Sequence, residues 1–292
     1  MYAMNIEQWK QKGNYIDIYG KSVFHIHHKT EKPTIAFLHG YPSASFDYYN
    51  VLPNLENCFS YIIHDQIGFG LSAKPSNYSY SLIEQAEIAI ELWKKLGIKE
   101  IHLVSHDYGT SIANEIIVRK LQGFEPVKIK TITFCNGSMH IELAKLKLVQ
   151  KLLKHPTFGK YIVALMNKKT FIKTMQDIWF DKNLCDVQEM NVLYDLLQLN
   201  SNNEVLHKIS QYNNERVKYW HRWIPALTQL DIPTHILWAQ EDPIAVKAIA
   251  EQLHKEIPNS IYTKIDNCGH YPMLEKPKEW FEKMTEFIKN YI

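Results

Sequence analysis

Five consecutive residues, Ser105-His106-Asp107-Tyr108-Gly109, carry the first sign of chemistry in this sequence. The apolar run before them (Ile101, Leu103, Val104) predicts a short buried strand. The run after them predicts a helix with Ile112, Ala113, Ile116, Ile117 and Leu121 on one face. A strand that turns at once into a helix, with small residues near the turn, is the setting of a nucleophile elbow. Its central residue sits on a strained turn with the side chain exposed at the top of the sheet. Ser is the usual occupant; here it is Asp107. A carboxylate is ionised near neutral pH and needs no base to activate it. It is a weak nucleophile, suited to displacement at an sp3 carbon that carries a leaving group or belongs to a strained ring. The product is an alkyl ester of the enzyme, which an activated water must hydrolyse. Taken alone, Asp107 reads equally well as the cap of the following helix.

Two later residues change that balance. An apolar strand, Thr234 to Ala239, runs into Gln240-Glu241-Asp242-Pro243, and a strand from Ser260 to Ile265 leads into Asp266-Asn267-Cys268-Gly269-His270. Singly, Asp242 is a turn former before Pro243 and His270 a packed loop histidine. All three residues fall at the carboxyl ends of strands, where open α/β sheets place their sites. Their chain order is nucleophile, acid, histidine. Cys268, two residues before the histidine, reads as a packing residue, since a second nucleophile is not needed.

The elements that must hold these residues follow from the hydrophobic pattern. Asn14 to Tyr19 and Lys21 to His28 predict a β-hairpin about Gly20. Alternation puts only His25 and His27 of the His25-Ile26-His27-His28 run on one face. With no third ligand nearby, no metal site is expected. Strands at Thr34 to Leu38, Tyr61 to His64 and Ile129 to Phe134 alternate with an amphipathic helix from Leu82 to Leu96, stopped by Gly97, and with the elbow helix. The fold class is therefore α/β, a mostly parallel sheet with helices on both faces. Between about Ser138 and Thr228 there are helical stretches rich in aromatics and no convincing strand, which predicts an all-helical insertion. The expected division is a core of residues 1–137 and 231–292 with a helical cap at 138–230.

Composition sets limits. The 292 residues allow one large domain or a core with an insertion, and 46% hydrophobic with 22% charged residues describes an ordinary globular chain. Net charge of +2, with Lys and Glu read as mixed along the chain, gives no case for nucleic acid or an anionic membrane. Met1 to Asn14 contains Glu7, Lys10 and Lys12 and no apolar core of a signal peptide. The four cysteines show no paired spacing. A cytoplasmic protein without membrane partner is the resulting expectation; oligomeric state is not legible. The glycine-punctuated run from Asp65 to Ser72 has a phosphate-loop look, but its glycines neither open a helix nor precede a Lys.

Over nearly its whole length the chain resembles the α/β-hydrolase superfamily, and its Asp nucleophile resembles the branch of epoxide hydrolases and haloalkane dehalogenases. His39-Gly40-Tyr41-Pro42 is similar to that branch's H-G-x-P loop, Asp65 to Ser72 with Lys74-Pro75 to its structural D-x-x-G-x-G-x-S-x-x-P loop, and Cys268-Gly269-His270 to the segment carrying its base. Ser105 to Gly109 and Arg222 to Leu227 also resemble the mesoderm-specific-transcript branch. The resemblance implies that Asp107 attacks carbon and that His270, oriented by Asp242, activates the water. The backbone amides of Tyr41 and Tyr108 would hold the oxyanion. Tyr212-Asn213-Asn214-Glu215-Arg216 resembles the tyrosine-bearing segment of soluble epoxide hydrolases, which implies Tyr212 as proton donor. Tyr161 is the candidate second tyrosine, and Asn136 and His39 are candidate substrate contacts.

The implied reaction is the opening of a small apolar epoxide to a vicinal diol without cofactor. Tyr108 stands where haloalkane dehalogenases carry a halide-binding Trp and haloacetate-cleaving relatives an Arg. Carbon–halogen hydrolysis is therefore the runner-up, and a non-catalytic ligand-binding homologue the third reading.

Overall fold

The computed structural model describes residues 4–155, 158–200 and 203–292. Helices α1 (Ile6–Gln11), α2 (Leu52–Glu56), α3 (Leu82–Lys95) and α4 (Tyr108–Leu121) intersperse strands β1 (Asn14–Ile18), β2 (Lys21–His28), β3 (Thr34–Leu38), β4 (Ser60–His64), β5 (Glu100–His106) and β6 (Lys128–Cys135). Seven helices follow: α5 (Leu148–Leu153), α6 (Gly159–Ala164), α7 (Lys168–Gln176), α8 (Val187–Gln198), α9 (Asn203–Ser210), α10 (Tyr212–Lys218) and α11 (Trp220–Leu227). Then β7 (Thr234–Ala239), α12 (Lys247–Glu256), β8 (Ile261–Ile265), α13 (Pro272–Glu275) and α14 (Pro277–Lys289) close the chain.

The eight strands form one sheet in the order β1-β2-β4-β3-β5-β6-β7-β8. The hairpin pairs antiparallel, with Ile16 opposite Val23, and turns through Tyr19 and Gly20, both at positive φ. β2 also runs antiparallel to β4; every later pairing is parallel. Covered on both faces, the central strands carry near-continuous apolar sequence, as in Ile35-Ala36-Phe37-Leu38 and Ile236-Leu237-Trp238-Ala239. One face packs against α3, α4 and α12 through Trp93, Ile112, Ile117 and Leu253. The other packs against α1, α2 and α14 through Trp9, Leu55, Trp280 and Ile288. Truncating the fully buried Trp280 to Ala costs about 3–5 kcal/mol on this account.

The helices α5–α11 interrupt the β/α alternation between β6 and β7; α10 reaches the carboxyl end of β5, where Arg216 meets Asp107, and α11 packs on α4. Lys74 ties this layer to the core: its ammonium donates to the carbonyl of Leu196 at 2.8 Å, near the end of α8, where helix carbonyls lack partners. Trp223 on α11 donates to the buried carboxylate of Glu115 on α4 at 2.9 Å, and Arg222 adds two bonds to that same carboxylate at 2.9 and 3.0 Å. Among the described residues no helix is long and apolar enough to cross a membrane.

Candidate active site

Strand β5 ends at His106, and Asp107 takes φ 40° and ψ −104°, a conformation that L side chains rarely adopt. The turn is held from three sides. The Asp107 amide donates to Cys135 O at 3.2 Å, the Gly109 amide to His39 O at 3.1 Å, and the Thr110 hydroxyl to Asp107 O at 2.6 Å. Gly109 is required by close approach, since a Cβ there would lie 2.4 Å from Leu38 O. No side-chain bond links the Asp107 carboxylate to α4, so the helix-cap reading of this residue is set aside. Its Oδ2 instead accepts from the Tyr41 amide at 3.1 Å. The Tyr108 amide opens α4, where first-turn N–H groups have no acceptor in the helix. Of these two amides only that of Tyr41 is bonded to the carboxylate.

The acid–base pair sits beside them. His270 Nδ1 lies 2.6 Å from Asp242 Oδ2, both side chains being buried. Asp242 Oδ1 accepts from the amides of Ile244 (2.7 Å) and Ala245 (3.0 Å). Burial alone would raise the acid and lower the imidazole. The ion pair between them outweighs burial in both cases: Asp242 is held below its ordinary value and His270 above 6.5, with Asp107 adding to the latter. With Nδ1 engaged, Nε2 is the nitrogen left to take a proton from water. His106 supports the base from behind, its Nε2 2.8 Å from His270 O.

Two phenols and a guanidinium complete the surroundings of Asp107. The buried ring of Tyr212 packs at 5.3 Å from Tyr41 and 5.2 Å from Tyr108. Burial and the Asp107 charge push the hydroxyls of both Tyr41 and Tyr212 up, so both stay protonated and able to donate. Arg216, one turn beyond Tyr212 on α10, is buried. Its Nη2 donates to Asp107 O at 2.8 Å and lies 3.4 Å from Asp107 Oδ1; its Nε donates to Ser111 Oγ at 2.8 Å. Its guanidinium also stands 4.6 Å from the centre of the Tyr212 ring. Sequence reasoning gave Arg216 no role, and gave Tyr41 only its amide. The signal for Arg216 was present as the residue four beyond Tyr212, but an Arg in a helical segment reads as solvent-facing.

A cavity of about 240 Å³ opens over this site. Tyr41, Pro42, Ile244 and His270 line it on the side of this site, and Leu153, Ile162, Val163, Phe171, Met175, Leu197 and Leu206 make most of its wall apolar. Asp107 and Tyr212 are not in the wall; Tyr41, which touches both, is. Among the described residues no group of three His, Cys, Asp or Glu side chains could hold a metal ion.

Three sequence expectations are corrected. Tyr161 is 59% exposed on α6, with Lys160 over its ring, and it is the next residues, Ile162 and Val163, that face the cavity. His39 is fully buried: Nδ1 is 2.8 Å from Gly40 O and Nε2 accepts from the Gln66 amide at 3.1 Å. Burial lowers its pKa to about 3, so it is a neutral pin for two loops and not a substrate contact. Asn136 donates to Asp242 Oδ2 at 2.8 Å and accepts from the Ala239 amide at 3.0 Å; it orients the acid. The Asp65 loop is structural, as its resemblance implied. Asp65 accepts from Ser45 N and Oγ (2.8 and 2.6 Å) and from Leu71 N (2.7 Å).

An eight-stranded sheet with an elbow after β5, an acid after β7 and a histidine after β8 defines a class. The chain belongs to the α/β hydrolase fold family, whose model matches residues 33–277. It is 30% identical to LipZ of Mycobacterium tuberculosis over 288 residues, 99% of each chain. It is also 30% identical to the mesoderm-specific transcript protein of Mus musculus, over 98% of this chain and 88% of that one. Among solved structures, haloalkane dehalogenase DbeA from Bradyrhizobium elkani superposes with a TM-score of 0.80 at 18% identity, covering 96% of this chain and 98% of that one, a likeness of fold.

Proposed function

We propose that this protein hydrolyses a small apolar substrate through an alkyl ester on Asp107, and that the substrate is an epoxide. The observation that carries the reading is the carboxylate on the elbow, its Oδ2 already bonded to the Tyr41 amide. Oδ1, which lies 3.4 Å from Arg216 Nη2, attacks an epoxide carbon while the ring C–O bond breaks. The departing alkoxide takes its proton from a phenol, Tyr212 or Tyr41, and Asp107 becomes a neutral ester. Water then attacks the ester carbonyl carbon and gives its proton to His270 Nε2; Asp242 stabilises the imidazolium. Negative charge collects on the former Oδ2, between the Tyr41 and Tyr108 amides. Collapse breaks the acyl C–O bond; the departing alkoxide takes the His270 proton and leaves as the diol, and the new Asp107 carboxyl group gives its proton to the tyrosinate, which restores carboxylate, neutral imidazole and phenol.

The test is an ester trap. His270→Gln protein incubated with a terminal alkyl epoxide should gain the mass of one epoxide, mapped to the Asp107 peptide. An unmodified peptide after substrate has been consumed would remove the covalent step. Arg216 favours a second reading, carbon–halogen hydrolysis, because its N–H groups beside Oδ1 are donors of the kind a leaving halide wants. Paired epoxide and haloalkane substrates, read as diol against halide release, separate the two.

A further inference from the structure

The charge of this chain is segregated in a way its total conceals. Residues 143–176 hold eight lysines, from Lys145 to Lys173, and no Asp or Glu. The whole chain is +2, so the remainder carries −6. This corrects the reading of evenly mixed charge. Among the described residues only Lys168 of these eight forms an ion pair, with Asp195 at 2.6 Å.

The same segment exposes apolar side chains. Eighteen large hydrophobic residues are exposed among those described, and five of them (Leu148, Leu152, Phe158, Tyr161 and Leu165) fall within 148–165. Leu148 is 71% and Leu165 74% exposed. Such clustering marks a contact surface more often than chance exposure. Helices α5 and α6, which carry most of these residues, also supply Leu153, Ile162 and Val163 to the cavity wall. Leu165 belongs to both sets, and Lys147 lines the cavity too. The cavity therefore opens where the exposed apolar groups and the lysines lie.

We propose that the α5–α6 face is the surface by which this protein lies on an anionic lipid bilayer. The lysines sit among the headgroups and Leu148, Leu152, Phe158 and Leu165 enter the upper acyl layer. An apolar molecule dissolved in the lipid then enters the cavity without crossing water. The inference rests on the cavity and its rim, not on the nucleophile, so it stands or falls apart from the ester chemistry. The competing occupant is a second copy of the chain, whose −6 remainder complements the patch, but a bilayer alone accounts for the cavity opening at the same place.

Vesicle flotation tests it without any turnover. The full chain should float with vesicles of phosphatidylcholine and phosphatidylserine in equal parts, bind weakly to phosphatidylcholine alone, and be released by high salt. Lys151→Glu, Lys154→Glu and Lys160→Glu together should weaken binding by on the order of a hundredfold, at about fivefold per lysine. Leu148→Ser with Leu152→Ser should weaken it with the circular dichroism spectrum unchanged. Lys255→Glu, Lys278→Glu and Lys289→Glu, on α12 and α14, should leave binding as it was. No binding to the mixed vesicles overturns the proposal, as does equal loss in both lysine triples. So does a salt-sensitive dimer in gel filtration that the first triple abolishes, in the absence of vesicle binding.

Discussion

Arg216, carried on a helix of the insertion, donates at 2.8 Å to the backbone oxygen of Asp107, a non-glycine residue at positive φ. The insertion thus holds the elbow as well as covering it. Among the described residues the ion-pair partner of this buried guanidinium is the Asp107 carboxylate. Replacing Arg216 by Met should destabilise the fold by about 3 kcal/mol, the scale for breaking a buried pair. Combined with Asp107→Asn, the loss should be smaller than the sum of the two single losses by roughly 1 kcal/mol or more. Urea unfolding of the four proteins measures the coupling; strict additivity would show that the pair is not one.

His270→Gln should stop the reaction after its first half. Substrate disappears once per site and no further, while Asp242 and the oxyanion donors remain in place. Quenched-flow counting of substrate consumed per protein gives the answer, and sustained turnover would take His270 out of the mechanism.

The pH dependence follows from the same pair. His270 must be neutral to accept a proton, and its pKa is raised by Asp242, so the acid limb of kcat should lie above 6.5. Asp242→Asn removes the opposing charge and leaves burial, which moves the limb to lower pH. For stability, the raised His270 contributes below its unfolded value and the contribution is lost as pH rises through the folded one. The lowered Asp242 contributes above its unfolded value of about 3.8, a contribution lost as pH falls through the folded one. A limb that stays put in Asp242→Asn would contradict the assignment.

Tyr212→Phe should slow epoxide opening by roughly a hundredfold, the scale of a lost general acid, with little effect on halide release. Tyr41→Phe should act in the same direction while sparing the amide that binds Oδ2. Single-turnover rates on both substrates distinguish these outcomes; if neither variant changes epoxide opening, the proton comes from solvent.

The β/α alternation and the elbow were legible because each depends on local pattern: apolar strands, 3.6-residue spacing on α4, and glycine at a tight approach. The strand-end positions of Asp242 and His270 followed from the same pattern. What could not be read were partnerships between distant residues. Asn136 meets Asp242 and Ala239 more than a hundred positions away, and His39 spends both ring nitrogens on backbone groups. Tyr161 failed by one position, since on a six-residue helix an offset of one turns a side chain from the cavity to solvent. Arg216 was hidden by the habit of arginines to face water. The lysine-rich stretch was in plain view, but a balanced total charge averages it away.

Isotope transfer tests the alkyl-aspartate step most directly. Unmodified protein turning over substrate in water enriched in oxygen-18 should acquire the label in the Asp107 carboxylate, because each ester hydrolysis gives one carboxylate oxygen to product and replaces it from water. Mass spectrometry of the Asp107 peptide after many turnovers is predicted to show that incorporation. Label found only in product, with the peptide unchanged, would mean that water attacks the substrate directly and that Asp107 never bonds to carbon.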